Sequence, residues 1–367
     1  MHRPSLSVAV TVALALSAAV GAAYTRPSAQ AATVTLFASG LNNPRGLAFG
    51  PDGALYVAEG GLGGTATTSS ADCDQVPPPV GPYSGGYTAR ISRIDSQGGR
   101  TTVADGLPSS QTSTLLGSLV SGVADLAFVG GQLYALEAGG GCSHGLIDTD
   151  NTVLRVNADG TTTSVANLSA FQRSHPVAQP EPGDFEPDGT WYSMVAVRGS
   201  LYAVEPNHGE VVRIVPDTGE ITRVIDVSAA RGHIVPTAIA WKGNFFFGNL
   251  GVFPISPGTS SIFKLTPSGS LRLWAAGLTT VLGLVVGPRD EMYVLESMTA
   301  AGFPGPAELG AGRIVEIDPN GQQQILATGF SFPTAMRMGP DGALYVSNLG
   351  FGGPVAGLGQ VFRVALQ

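Results

Sequence analysis

Residues 40–61, GLNNPRGLAFGPDGALYVAEGG, recur in weakened form five more times before the C-terminus, and that repetition constrains the fold more than any other feature of the chain. Each copy reads as two short strands joined by a tight turn. In the first copy, residues 46–49 and 55–58 flank Gly50-Pro51-Asp52-Gly53. Asp-Gly between apolar β-formers is a hairpin signal, because glycine reaches positive φ without a Cβ clash. The later copies are GVADLAFVGGQLYALEAGG (122–140), YSMVAVRGSLYAVEPNHG (192–209), PTAIAWKGNFFFGNLG (236–251), LGLVVGPRDEMYVLES (282–297) and PTAMRMGPDGALYVSNLG (333–350).

A unit of this size cannot bury its own core, so the copies must stack, and hairpin units at this period close most readily into a propeller. A third strand follows each hairpin, at 89–94, 153–156, 211–214, 262–265, 314–317 and 361–364, and a short glycine turn then leads to a fourth. The sixth copy ends after its third strand, while residues 33–38, TVTLFA, precede the first hairpin and match the fourth-strand pattern. The expected architecture is all-β: a six-bladed β-propeller of four-stranded antiparallel blades over residues 32–367. The ring closes by pairing the N-terminal strand with the last blade, which also removes an exposed sheet edge.

The repeats run without a break through 367 residues, so one domain is expected in spite of the length. The 51 glycines and 26 prolines fall mainly in the turns and loops between strands, as in a folded chain and not a low-complexity one. A formal charge of −8 disfavours nucleic acid and anionic membrane surfaces as partners. Residues 1–31 read as a secretory signal: His2 and Arg3, an apolar run over 6–23, and Ala29-Gln30-Ala31 as a small-residue cleavage site. The alternative is an uncleaved anchor, since the run is almost long enough to span a bilayer. Secretion is the expectation, with no membrane contact after cleavage and a monomeric chain.

Cys73 and Cys142 are the only cysteines. Both follow second strands in neighbouring copies, so an oxidising compartment favours a disulfide between two loops on one face, with two free thiols as the alternative.

Hairpin turns and third-to-fourth turns stay short in every copy, and the length variation falls in loops after second strands and before first strands. In a four-stranded blade those loops share one face, where a site is placed on a rigid scaffold. Three residues after each repeat's Tyr or Phe stand Glu59, Glu137, Glu205, Asn249, Glu296 and Asn348. Brought near the axis, these oxygens suit a hard cation such as Ca²⁺; the architectural alternative is that each accepts hydrogen bonds from loop amides. A second ring, Arg45, Asp125, Ser193, Thr237 and Thr334, starts the first strands and is the candidate ligand-binding set. His208 and His233 fall in loops of the same face as candidate general bases, or as loop hydrogen-bonding residues. The sequence contains no nucleophile elbow, Walker loop or dinucleotide fingerprint.

Through these segments the chain resembles the ScyD/ScyE family of secreted proteins within the NHL-like six-bladed propellers. The resemblance rests on GLNNPRGLAFGPDGALYVAE, HGEVVRI, HIVPTA, GLTTVLGL and FPTAMRMGPDGALYVSN, with HIVPTA and the terminal PTA repeat its most specific part, and it spans nearly the whole chain after residue 31. It implies a propeller outside the cytoplasm. More distantly the pattern is similar to paraoxonase, gluconolactonase and calcium-dependent phosphotriesterase propellers, which hold Ca²⁺ in the tunnel with more Asn and Asp than the four glutamates found here. The soluble quinoprotein sugar dehydrogenases share a PDG-type repeat, but their cofactor contacts have no counterpart in this chain. The expected function is binding of a small molecule or an extracellular partner on the loop face. The alternative is a Ca²⁺-dependent hydrolase of lactone, ester or phosphotriester bonds, in which His208 or His233 moves the proton.

Overall fold

The turn at Gly50-Pro51-Asp52-Gly53 shows how the repeat builds a blade. The Gly53 N–H donates to the Gly50 carbonyl at 2.9 Å and the Gly50 N–H to the Ala54 carbonyl at 2.9 Å. Gly53 has φ +74°, which glycine adopts without a Cβ penalty. Asp52 ties the turn to two strands: its carboxylate accepts Ala54 N–H at 3.2 Å, the Tyr56 hydroxyl at 3.4 Å and Arg93 Nε, from the third strand, at 2.7 Å. In the last copy Asp341 repeats this with Ala343 at 3.2 Å, Tyr345 at 3.2 Å and Arg363 at 2.8 Å. The Asp-Gly and Tyr of the repeat are therefore one hydrogen-bonded device.

The computed structural model describes residues 32–266, 268–302 and 308–366, so the expected leader, residues 1–31, lies outside the described residues. Six antiparallel sheets follow in chain order. Blade 1 is Pro44–Phe49, Leu55–Glu59, Ser84–Ile94 and Arg100–Gln111, with a short fifth strand, Val120–Ser121, added at its edge. Blade 2 is Val123–Val129, Gln132–Glu137, Thr152–Val156 and Thr162–Asn167, and blade 3 is Ser193–Val197, Ser200–Glu205, Glu210–Ile214 and Ile221–Asp226. Blade 4 is Pro236–Trp241, Phe245–Asn249, Ser260–Leu265 and Leu271–Leu278, and blade 5 is Val281–Val286, Met292–Glu296, Gly312–Ile317 and Gln323–Phe330. Blade 6 is Ala335–Met338, Leu344–Asn348, Gly359–Ala365 and, from the other end of the chain, Thr33–Leu41. That strand pairs Val34 with Val364 and Leu36 with Phe362, closing the ring as the terminal patterns imply.

First strands of successive blades contact one another all the way round, so they line the axis. Apolar side chains on the two faces of each sheet fill the seams between blades. Each of the six seams holds its own cluster of buried residues. The closing seam, for example, packs Tyr345 and Val361 of blade 6 against Leu47, Leu55 and Val57 of blade 1.

Two short helices, Leu168–Ser174 and Val227–Arg231, lead out of fourth strands, capped by Asn167 and Asp226, whose side chains accept the Ala170 and Ala229 N–H groups. At seven and five residues they are too short to show helical periodicity in the sequence. Among the described residues no helix is long and apolar enough to cross a membrane. Cys73 and Cys142 form a disulfide with Cα atoms 6.2 Å apart, which fastens the long loop of blade 1 to that of blade 2.

Candidate functional site

Hairpin register decides which side chain of each first strand meets the axis. The residue that pairs with the first residue of the repeat's Leu-Tyr, or its equivalent, is Phe49, Phe128, Ala196, Trp241, Val286 and Met338 in blades 1 to 6. Four residues earlier stand Arg45, Ala124, Tyr192, Thr237, Leu282 and Thr334. The first five line a cavity of about 480 Å³ on the loop face, which also receives loop residues from around the ring.

Its floor is closed across the axis. The Tyr192 hydroxyl of blade 3 donates to the Thr334 carbonyl of blade 6, on the opposite side of the ring, at 2.8 Å. Arg45 reaches the same hydroxyl and donates to the Val120 carbonyl, with its guanidinium 5.2 Å above the Phe351 ring. Burial lowers the Arg45 pKa, an effect opposed by Tyr192. Burial raises that of Tyr192 against the opposing pull of Arg45. Nearby, Asp125 of blade 2 faces Arg337 of blade 6 at 3.8 Å. Side chains of non-adjacent blades thus meet across the axis at the base of this cup-shaped cavity.

Most of the wall is apolar, with Leu116, Leu119, Leu250, Phe253, Met298 and Phe351 prominent. One sector is polar. There the Glu186 carboxylate accepts the Tyr83 hydroxyl at 3.0 Å, and burial holds its pKa well above the ordinary value, opposed by Tyr83 and assisted by Glu205 and Asp184. Asn207 donates to the Asp184 carbonyl at 2.8 Å and accepts the Glu186 N–H at 2.9 Å, so it braces this loop over the cup.

The structure places the sequence candidates as follows. The six second-strand side chains, Glu59, Glu137, Glu205, Asn249, Glu296 and Asn348, are buried but bonded within their own blades. Glu59 accepts Asn42 N–H at 2.6 Å and Arg90 Nε at 2.8 Å. Glu296 accepts Thr279 N–H and Arg313. Glu205 gathers the amides of Thr190, Asn207, His208 and Gly209. Asn249 and Asn348 accept Ser261 N–H and Ser331 N–H, each at 2.7 Å. Glu137 accepts Gly139 N–H at 2.7 Å, its other oxygen is buried without a partner, and burial raises its pKa to about 8 against the pull of the Gly139 and Ala138 amides. These residues stand on second strands, one strand out from the axis, where loop amides and third-strand arginines use their oxygens, and the hydrogen bonds do not bring the ring together on one point. Among the described residues no group of three or more His, Cys, Asp or Glu side chains is arranged to hold a metal ion.

The second ring also changes its role in part. Ser193 donates to the Thr237 carbonyl, Thr237 to the Val281 carbonyl and Thr334 to the Pro44 carbonyl at 2.6 Å, each from one blade to the next. Asp125 accepts the Met194 N–H of blade 3 at 2.7 Å. It occupies the space beside Gly46, where a Cβ would stand 1.9 Å from its Oδ1. Asp125 and Ser193 thus stitch blades together, while Arg45 and Thr237 stitch blades and also face the cup. Tyr192, Leu282 and Phe351 were missed. The signal for Tyr192 was the two-residue turn of its hairpin, since an odd change of register turns a strand's side chains to the other face.

Only one candidate histidine reaches the cup. His233 lies on its wall with Nε2 3.8 Å from Asp184 Oδ2. Burial lowers its pKa, but the carboxylates of Asp184, Glu181 and Glu205 outweigh that and leave it raised. His208 lines a different cavity, between the disulfide and the loops of blades 2 and 3. Its Nε2 is 2.9 Å from the Glu186 carbonyl and its ring lies 4.8 Å from that of Phe185, which makes it a loop-bracing residue.

No model of a protein family and no curated protein matches the sequence. Solved structures do. The chain is similar to an auxiliary nutrient binding protein from Bacteroides thetaiotaomicron (TM-score 0.54, 11% identity, covering 92% of this chain and 77% of that one). It is similar to a candidate oxidoreductase of glucose dehydrogenase type from Thermus thermophilus (TM-score 0.52, 19% identity, 91% and 100%). A third likeness is to a candidate gluconolactonase (TM-score 0.51, 13% identity, 91% and 91%). At these identities the likeness is one of fold, the six-bladed β-propeller.

Proposed function

We propose that the protein binds a small, largely apolar molecule in the loop-face cup. The observation that supports this reading is a cavity of about 480 Å³ with Tyr192 and Arg45 in its floor and a mainly apolar wall. Volume, concavity and a few polar groups among apolar side chains are the usual make-up of a ligand site. The hydrolase reading would need several acceptor oxygens on one point, and the glutamates expected to supply them are bonded inside their blades. Binding is therefore preferred over metal-assisted hydrolysis. We assign the chain, within its fold, to the secreted ScyD/ScyE-type proteins on the motifs quoted above. The Cys73–Cys142 disulfide supports an oxidising compartment.

The test is a fluorescence titration with N-phenyl-1-naphthylamine, a neutral apolar probe. Saturable binding is expected in the wild type and its loss in Ala124→Trp, which fills the cup from the first strand of blade 2, with the melting temperature unchanged. Wild type and variant behaving alike would refute the reading.

A further inference from the structure

Arg45 is 6% exposed, and among the described residues no carboxylate comes within 4 Å of its guanidinium. Three other partly shielded arginines are paired with glutamates. Arg90 is paired with Glu59 at 2.8 Å, Arg223 with Glu210 at 2.6 Å and Arg313 with Glu296. A guanidinium presents five N–H donors. Around Arg45 the described partners are the Val120 carbonyl, the Tyr192 hydroxyl and the face of Phe351, all neutral. An unpaired charge taken out of water is costly unless another charge completes it. This one lies in the floor of an apolar cup.

We propose that the ligand of the cup is a lipophilic monocarboxylate, seated with its carboxylate on Arg45 and its apolar body against the Leu116, Leu250 and Met298 wall. The inference rests on the binding reading above and adds the chemical class. A carboxylate fits the guanidinium fork, and the resulting charge-assisted hydrogen bonds are stronger than neutral ones. Glu181 and Asp184 stand on the polar sector of the wall and would repel a second anionic group, which limits the ligand to one.

Calorimetric titration of the wild-type chain with 2-naphthoate, 2-naphthylmethanol and 2-naphthylmethylammonium tests this. The expected order has 2-naphthoate at least about tenfold tighter than the alcohol, with the ammonium weakest. In Arg45→Met that preference is expected to vanish while the alcohol still binds, and Arg45→Lys should keep part of it. Equal affinity for 2-naphthoate and the alcohol, or tightest binding of the ammonium, overturns the carboxylate inference and leaves the cup as a binding site. Failure of all three to bind overturns both. The wild-type order decides the question even if Arg45→Met does not fold.

Discussion

The Tyr192 hydroxyl donates to the Thr334 carbonyl at 2.8 Å, joining blade 3 to blade 6 across the axis of the ring. The seams of the propeller couple adjacent blades. This contact adds a direct brace between opposite ones and turns the tunnel mouth into a cup.

Removing that hydroxyl tests the brace. Tyr192→Phe keeps the ring and loses the hydrogen bond, so a stability loss of about 1 kcal/mol is expected. Denaturant unfolding would register it as a lower midpoint. An unchanged midpoint means that the contact carries no net stability.

The closing strand makes a larger claim on stability. Thr33–Leu41 supplies the outer strand of blade 6, and Ala38 and Leu41 are buried in the last seam. Deletion of residues 33–38 leaves the Gly359–Ala365 strand with an open edge. A fall in melting temperature of several degrees and a greater tendency to aggregate are expected by calorimetry and light scattering.

Glu137 sets a pH dependence. Its folded pKa of about 8 lies above the ordinary 4.5, mainly because it is buried. Between those values the folded chain holds a proton that the unfolded chain releases. The contribution is therefore present in full below about 4.5 and is lost as pH rises through 8. Asp125, raised to about 6 by burial despite Arg337, acts in the same direction over a lower window. Melting temperature should accordingly fall as pH rises from about 4.5 to about 8 and level off above that. Glu137→Gln is expected to flatten that fall and to be the more stable form at pH 9.

The disulfide holds part of the cup wall in place, because the loop it fastens carries Pro79, Val80 and Tyr83. Cys73→Ser with Cys142→Ser removes a link across 69 residues. The expected results are proteolytic nicking within residues 62–82 and weaker probe binding at an unchanged propeller fold by circular dichroism. Equal protease resistance in the variant would show that packing alone holds the loop.

The fold was legible because its determinants are local. Asp52 and Asp341 in their turns, Tyr56 and Tyr345 three strand positions before the end of the hairpin, and the 33–38 pattern all act through near neighbours in sequence or in one blade. The site was less legible because it depends on register. Asp125 and Ser193 stand one position after the wall residues Ala124 and Tyr192, in blades whose hairpins have two-residue turns, while Arg45 and Thr237 line the cup. For the second-strand glutamates, the sequence shows the acceptor but not its donor. Arg90 and Arg313 come from third strands after loops of unrelated length, and the amides held by Glu205 come from two different loops.

The central claim is that a small molecule occupies the cup above Tyr192. Crystals of the wild-type protein soaked with a brominated naphthalene and measured at the bromine absorption edge test it most directly. The expected result is one anomalous peak inside the cavity bounded by Ala124, Leu282 and Phe351. A peak confined to the cavity beside His208, or only to the outer surface, would contradict the account.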